Sequence, residues 1–149
     1  MTIEAFQTKF VAQIPDSKSR PAIHLEFNKF IADFSERLTT SFTTWIGGSF
    51  TTLKSDPNDI DVLLLVDGVV FHQHSTTIRK LFTNDRFRFP LVDFYFLPVP
   101  ETPDRASPLF RADLLYWEHQ FGFTRKGRNN RRHPRGYVEI TFNHFYYGS

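Results

Sequence analysis

Trp45-Ile46-Gly47-Gly48-Ser49-Phe50-Thr51-Thr52, followed by Pro57-Asn58-Asp59-Ile60-Asp61 at the head of Val62-Leu63-Leu64-Leu65-Val66, decides how this chain is read. The first half is an apolar strand end, a glycine turn and a serine that can cap a helix. The second half is a buried strand headed by two carboxylates. Side chains alternate along a strand, so Asp59 and Asp61 share one face while Ile60 and Val62 take the other. Two acids about 7 Å apart on one face of a core strand repel each other and are costly to desolvate. Bound cations remove that cost. Mg²⁺ takes carboxylate and phosphate oxygens, and backbone N–H groups of a turn at a helix start suit those phosphates.

A third acid extends the set. Leu91-Val92-Asp93-Phe94-Tyr95-Phe96-Leu97 reads as another strand whose single charge is Asp93. Placed beside the Asp59/Asp61 strand, it brings three carboxylates together opposite the glycine turn. Two can hold a metal pair, and the third can complete one site while drawing a proton from an incoming hydroxyl. Each piece has a plainer meaning: a capped turn, a strand start with solvated acids, a lone edge-strand charge. Their order and spacing together favour the site.

This constellation resembles the DNA-polymerase-β-type nucleotidyltransferase superfamily: a Gly-Ser turn (Gly48-Ser49), an Asp-x-Asp strand (Asp59-x-Asp61) and a later strand acid (Asp93). Ile46 to Thr52, Pro57 to Val62 and Tyr116-Trp117…Phe121-Gly122 further resemble a group of small, single-domain bacterial and phage nucleotidyltransferase-like proteins. Phe121-Gly122, Arg125, Gly127 and Arg135-Gly136 follow that group's tail. Asn129 to Pro134 reads as an insertion, and Arg135 stands where lysine is expected. The resemblance covers roughly residues 40–140. It implies a nucleotidyltransferase fold, two Mg²⁺ ions (Mn²⁺ as the substitute) and an NTP substrate. Asp59, Asp61 and Asp93 are then the metal-binding and catalytic acids. Gly47, Gly48 and Ser49 hold the triphosphate with Lys54 beside them. The acceptor is RNA (tRNA included), a protein hydroxyl or a small molecule. Small proteins of this type look like parts of toxin–antitoxin or phage-defence systems with a partner encoded nearby. The rival expectation is a non-catalytic nucleotide- or RNA-binding partner subunit with the same fold.

Length and composition fit one domain over residues 1–149, with its core over about 22–142. Eighteen phenylalanines must mostly be core. Phe142, Phe145, Tyr146 and Tyr147 at the end are candidates to cover a sheet edge or a partner. The chain has no cysteine, hence no disulfide and no thiolate metal site. No secretory h-region and no transmembrane-length apolar run is present, so a soluble, cytoplasmic protein that does not enter a membrane is expected.

Net charge is only +2, but it is unevenly spread. Arg125, Lys126, Arg128, Arg131, Arg132 and Arg135 crowd residues 124–138 without an acid, leaving twelve basic against sixteen acidic residues elsewhere. A basic loop (124–136) on an acidic body suits a polyanion, which favours RNA as acceptor. Arg125, Arg128, Arg131 and Arg132 are the candidate acceptor or phosphate contacts.

Along the chain, Ile14-Pro15 and Arg20-Pro21 rule out one long helix over residues 1–21. Ile23, Phe27, Phe30, Ile31, Phe34 and Leu38 mark an amphipathic helix from Ala22. Ser41 to Ile46 reads as a strand, and a short helix is expected near Ser49 with its positive end toward phosphate. Ser55 to Asn58 turns the chain into the Asp59 strand, which ends at Asp67-Gly68. Phe71 to Phe82 reads as one helix with Ile78, Leu81 and Phe82 inward. His72 and His74, two apart, point to different sides of it and do not suggest a metal site. Asn84-Asp85 turns toward the Asp93 strand. A proline loop from Pro98 to Pro108 leads to a helix over Leu109–Phe121, and Gly136 to Phe142 alternates as a last strand. The alternation of helices and strands predicts an α/β (α+β) sandwich around a mixed sheet of about four or five strands.

Overall fold

The computed structural model describes residues 1–84, 86–101, 108–122 and 136–143. Their architecture is α+β. Strands β1 (Phe42–Gly47), β2 (Ile60–Asp67), β3 (Val92–Val99) and β4 (Val138–Phe142) form one mixed sheet in the order β3-β2-β1-β4. β1 runs antiparallel to both β2 and β4, and β2 runs parallel to β3. The parallel pair requires a crossover. It is made by α3 (Gly68–Gln73) and α4 (Ser75–Thr83).

The first layer against the sheet is aromatic. Helix α2 (Arg20–Arg37) buries Ile23, Phe27, Phe30, Ile31 and Phe34, the face expected from the sequence. Pro21 sits in its first turn, where the missing N–H costs nothing. Residues 3–12, ahead of the anticipated core, add α1 (Ile3–Gln7) and a π-helical turn (Thr8–Ala12) that bury Phe6 and Phe10. These rings meet Ile46, Ile60, Val62, Leu64, Val66 and Phe94 from the sheet. Phe30 lies 4.7 Å from Phe94 and 5.3 Å from Phe89, ring centre to centre. On the opposite face, α5 (Pro108–Gly122) covers a smaller group: Trp45, Leu63, Leu97 and Phe121, with Leu114 and Trp117 packed against it.

Three local expectations are corrected. The helix read over Phe71–Phe82 is two helices broken at His74, whose Nδ1 lies 3.0 Å from the Val70 carbonyl. The Asp67 carboxylate accepts from the Val69 and Val70 N–H groups and so starts α3 one residue after β2 ends. Pro98 lies in β3 rather than in the proline loop, at the sheet edge, where a missing N–H is tolerated. Residues Phe145, Tyr146 and Tyr147 lie outside the described residues.

Candidate functional site

Strand parity assembles the site. On β2, Ile60, Val62, Leu64 and Val66 face the α2 layer, so Asp61, Leu63 and Leu65 face α5. The same parity sets Asp93, Tyr95 and Leu97 of β3, and Trp45 and Gly47 of β1, on the α5 face. Register then aligns them across three strands, with Gly47 opposite Asp61 and Asp61 opposite Asp93. Neighbouring strands are about 4.8 Å apart, so the two acids sit side by side at one end of the sheet. Asp59 lies one residue ahead of β2, half-buried like Asp61 and Asp93. Among the described residues, no group of three or more histidine or acidic side chains is gathered closely enough to hold a metal by itself.

The glycine turn closes on this end. Gly48 has φ +74°, the left-handed conformation that costs a side-chain-bearing residue about 1–2 kcal/mol. A Cβ there would run into the Asp61 carboxylate, and a Cβ on Gly47 would come within 2.6 Å of the Phe121 ring. Both glycines are therefore demanded by close approach. The turn itself is a four-residue 3-10 helix, Gly48–Thr51, rather than the start of an α-helix. Ser49 lies inside that turn and not at its cap, which is Gly47. Its carbonyl accepts from the Thr52 N–H at 3.2 Å and from the Thr52 hydroxyl at 2.6 Å. One short turn adds little dipole.

Arg20 holds this loop from below. It is fully buried, and its guanidinium donates to the carbonyls of Phe10, Phe50, Thr52 and Lys54 at 2.6–3.1 Å. It also lies 4.8 Å from the Phe50 ring centre. Lys54, exposed at the end of the loop, offers its carbonyl inward to Arg20. Sequence reading passed over Arg20 because a lone arginine before a proline looks like an ordinary helix start.

Two further residues were also missed. Arg86 Nη2 donates to Asp93 Oδ1 at 2.5 Å, and the Tyr95 hydroxyl donates to Asp93 Oδ2 at 3.1 Å. Desolvation first, then the Asp93 charge, pushes the Tyr95 phenol above its ordinary pKa, so it remains a donor. Tyr95 packs against Trp117 of α5, ring centres 5.0 Å apart and tilted by 42°. Period-two alternation put Tyr95 on the face of Asp93, which was a usable signal. Arg86, seven positions away across a turn, gave none.

Arg125, Arg128, Arg131 and Arg132 lie outside the described residues. Their flanks do not. Phe121 packs on Gly47, and the Gly136 carbonyl accepts from the Thr51 hydroxyl at 3.4 Å. The chain thus leaves from and returns to the glycine turn on either side of the basic segment. None of the helices among the described residues is long and apolar enough to cross a membrane.

A sheet end with two adjacent carboxylates, a side-chain-free turn against one of them and a charge-paired second one is suited to holding a cation and a polyanion together. Mg²⁺ is commonly bound by one or two carboxylates completed by substrate phosphates, so the Asp61/Asp93 pair fits it without a third protein ligand. Comparison with curated proteins and with solved structures finds no match. A family defined by sequence does match, from residue 1 to residue 141. Having that family's pattern over nearly its whole length, the chain belongs to the family of unknown function DUF6932.

Proposed function

We propose that this protein is a divalent-cation-dependent nucleotidyltransferase that moves a nucleotide from an NTP to a hydroxyl acceptor, RNA being favoured. The single observation that carries the reading is the alignment Gly47–Asp61–Asp93 across β1, β2 and β3, with Gly48 against the Asp61 carboxylate. Asp61 and Asp93, with Asp59 at the strand entrance, would hold Mg²⁺ or Mn²⁺. When bound, the cation lowers the cost of charge on attacking and leaving oxygens in an in-line displacement. The chain's own contributions are positional. Gly47 and Gly48 let the triphosphate approach backbone, Ser49 and Lys54 lie beside it, and Arg20 keeps the loop in one shape. Asp93, whose carboxylate accepts from the Tyr95 hydroxyl, would take the proton of the acceptor hydroxyl.

The acceptor is read from charge. The basic segment containing Arg125, Arg128, Arg131 and Arg132 is joined in sequence to Phe121, which packs on Gly47, and to Gly136, whose carbonyl accepts from Thr51, so its six cations are tethered on both sides to residues at the glycine turn. RNA is the polyanion that fits this, and a partner protein encoded nearby fits the small-system resemblance.

Incubation of the purified protein with Mg²⁺, each labelled NTP and total RNA tests the reading. Label is expected on RNA, lost in Asp61→Ala. Label on protein instead would keep the reaction and replace the acceptor. No label with any NTP, together with intact NTP binding, would favour a second reading, a non-catalytic nucleotide- or RNA-binding subunit. One observation supports that alternative: the Arg86–Asp93 ion pair already neutralises one of the two acids.

A further inference from the structure

Arg86 begins a short 3-10 turn, Arg86–Arg88, after α4. Its Nη2 meets Asp93 Oδ1 at 2.5 Å and its Nη1 donates to the Phe94 carbonyl at 3.3 Å. The guanidinium carbon sits 4.8 Å from the Phe94 ring centre, 5.6 Å from that of Phe82 and 5.7 Å from that of Tyr95. The planar cation is therefore cushioned by three rings while its edge holds the carboxylate. Both side chains of the pair keep about a third of their exposure, 32% and 36%, so a solvent ion can reach them. Asp61 stands in register beside Asp93. A dication shared by these two acids would lie next to a fixed positive charge, and like charges at such range repel.

We propose that Arg86 is the built-in counter-ion of Asp93 and is exchanged for a divalent cation when the Asp61/Asp93 pair binds one, so that Arg86 sets the site's threshold for the metal. The inference rests on the reading of the site given above. Its physical content is competition. The ion pair must be given up, and the guanidinium must stay on its aromatic cushion or turn toward incoming phosphate. Arg86 is a positioning residue with a second consequence: it holds the Asp93 carboxylate in place at the strand end, and it makes weak monovalent or trace-metal occupancy unfavourable.

The test is Mn²⁺ binding to the full chain, read from the free-ion electron paramagnetic resonance signal. The proteins compared are wild type, Arg86→Gln, Arg86→Met, Arg86→Lys, Asp93→Asn and Arg86→Gln/Asp93→Asn. Removing the competing charge should tighten Mn²⁺ binding about threefold to fivefold in either neutral variant, the upper end of what a partly exposed charge pair contributes. Arg86→Lys, which keeps the charge, should stay within about twofold of wild type. In the Asp93→Asn background, Arg86→Gln should yield no gain, because the double-mutant cycle removes the shared interaction. Two neutral variants guard against one failing to fold, and thermal unfolding is recorded for each. A purely structural clamp on the turn would change the melting temperature and leave Mn²⁺ affinity alone. Unchanged or weaker Mn²⁺ binding in both neutral variants overturns the exchange, as does an equal gain in Arg86→Lys or a gain that survives without Asp93. If wild type binds and the neutral variants match it, the exchange fails while the metal reading stands. If none of the six proteins binds Mn²⁺, both fall.

Discussion

The two faces of the sheet are built to different standards. Against α2, the rings of Phe6, Phe27, Phe30, Phe34, Phe50 and Phe94 are fully buried and touch one another. Against α5, four of the described residues are buried, and the helix leaves Leu109, Leu115 and Tyr116 largely exposed. Burying one large apolar side chain is worth about 1.5–3 kcal/mol, so most of the stabilising area lies on the α2 side. The carboxylates stand at one end of the α5 face, half-buried. The difference teaches a division of labour: one face holds the sheet rigid, which lets the other carry neighbouring carboxylates and left-handed glycine backbone at its rim.

The strongest way to break that comparison is at Arg20, which joins the two. Arg20→Met keeps the stem on Phe50 but strips the carbonyls of Phe10, Phe50, Thr52 and Lys54 of their donor. The Phe10 and Phe50 carbonyls are buried, and each left unpaired costs roughly 1–3 kcal/mol, so a loss of about 2–6 kcal/mol is expected. Urea unfolding reads it, and a loss under about 1 kcal/mol would mean that the loop satisfies itself. Next come paired truncations. Phe30→Ala should cost about 3–5 kcal/mol, as deletion of a fully buried ring does. Trp117→Ala, on the half-buried cover, should cost less than about 2 kcal/mol by the smaller area lost. Equal losses would show that the α5 face is as much a core as the other.

That asymmetry also explains what the sequence disclosed. Helix α2 was legible because Ile23, Phe27, Phe30, Ile31 and Phe34 repeat at helical spacing toward a single buried face. Strands β1, β2 and β3 were legible by their β-rich composition, and the parity of Asp61 and Asp93 follows from alternation alone. The parallel alignment of Asp61 with Asp93 was a matter of pairing, which no local pattern encodes. Arg86 and Arg20 were illegible for the same reason: each acts on residues brought near by tertiary folding. The break at His74 escaped because Phe71, Ile78 and Leu81 keep compatible spacing across it. Ser49 was misread as a cap because the glycines that close on Asp61 and Phe121 tighten the turn to 3-10 geometry.

At the rim, the expected effects are smaller in stability and larger in function. Gly48→Ala should lose about 1–2 kcal/mol, from the left-handed φ, and further from its contact with the Asp61 carboxylate. Nucleotide affinity should fall with it, measured by calorimetric titration. Asp61→Ala should change stability by less than about 1 kcal/mol in either direction, since it removes one of two neighbouring like charges. It should abolish nucleotide transfer. If Asp61→Ala instead unfolded the protein, the acids would belong to the scaffold and the division between faces would fail.

The smallest effect sharpens the comparison from within the aromatic layer. His24 of α2 packs beside Phe6 with ring centres 6.3 Å apart, and its Nε2 is buried with no hydrogen-bond partner among the described residues. Desolvation lowers its pKa below the ordinary 6.5. Above that ordinary value the ring is neutral both folded and unfolded, and it contributes no pH dependence. As pH falls below 6.5, the unfolded chain takes up a proton that the folded chain refuses, so stability declines. The decline stops once pH passes below the folded-state value. Asp56 does not interfere in that window. Its carboxylate accepts from the Lys18 and Ser19 N–H groups at 2.6 and 3.1 Å, which hold its pKa below 3.8. Its contribution is present above that value and is lost only as pH falls through the lower folded one. Thermal melts of wild type and His24→Leu should therefore diverge just below pH 6.5, with the variant's profile flatter. Parallel profiles would mean that water reaches Nε2 and that the α2 face is less dry than its ring packing indicates.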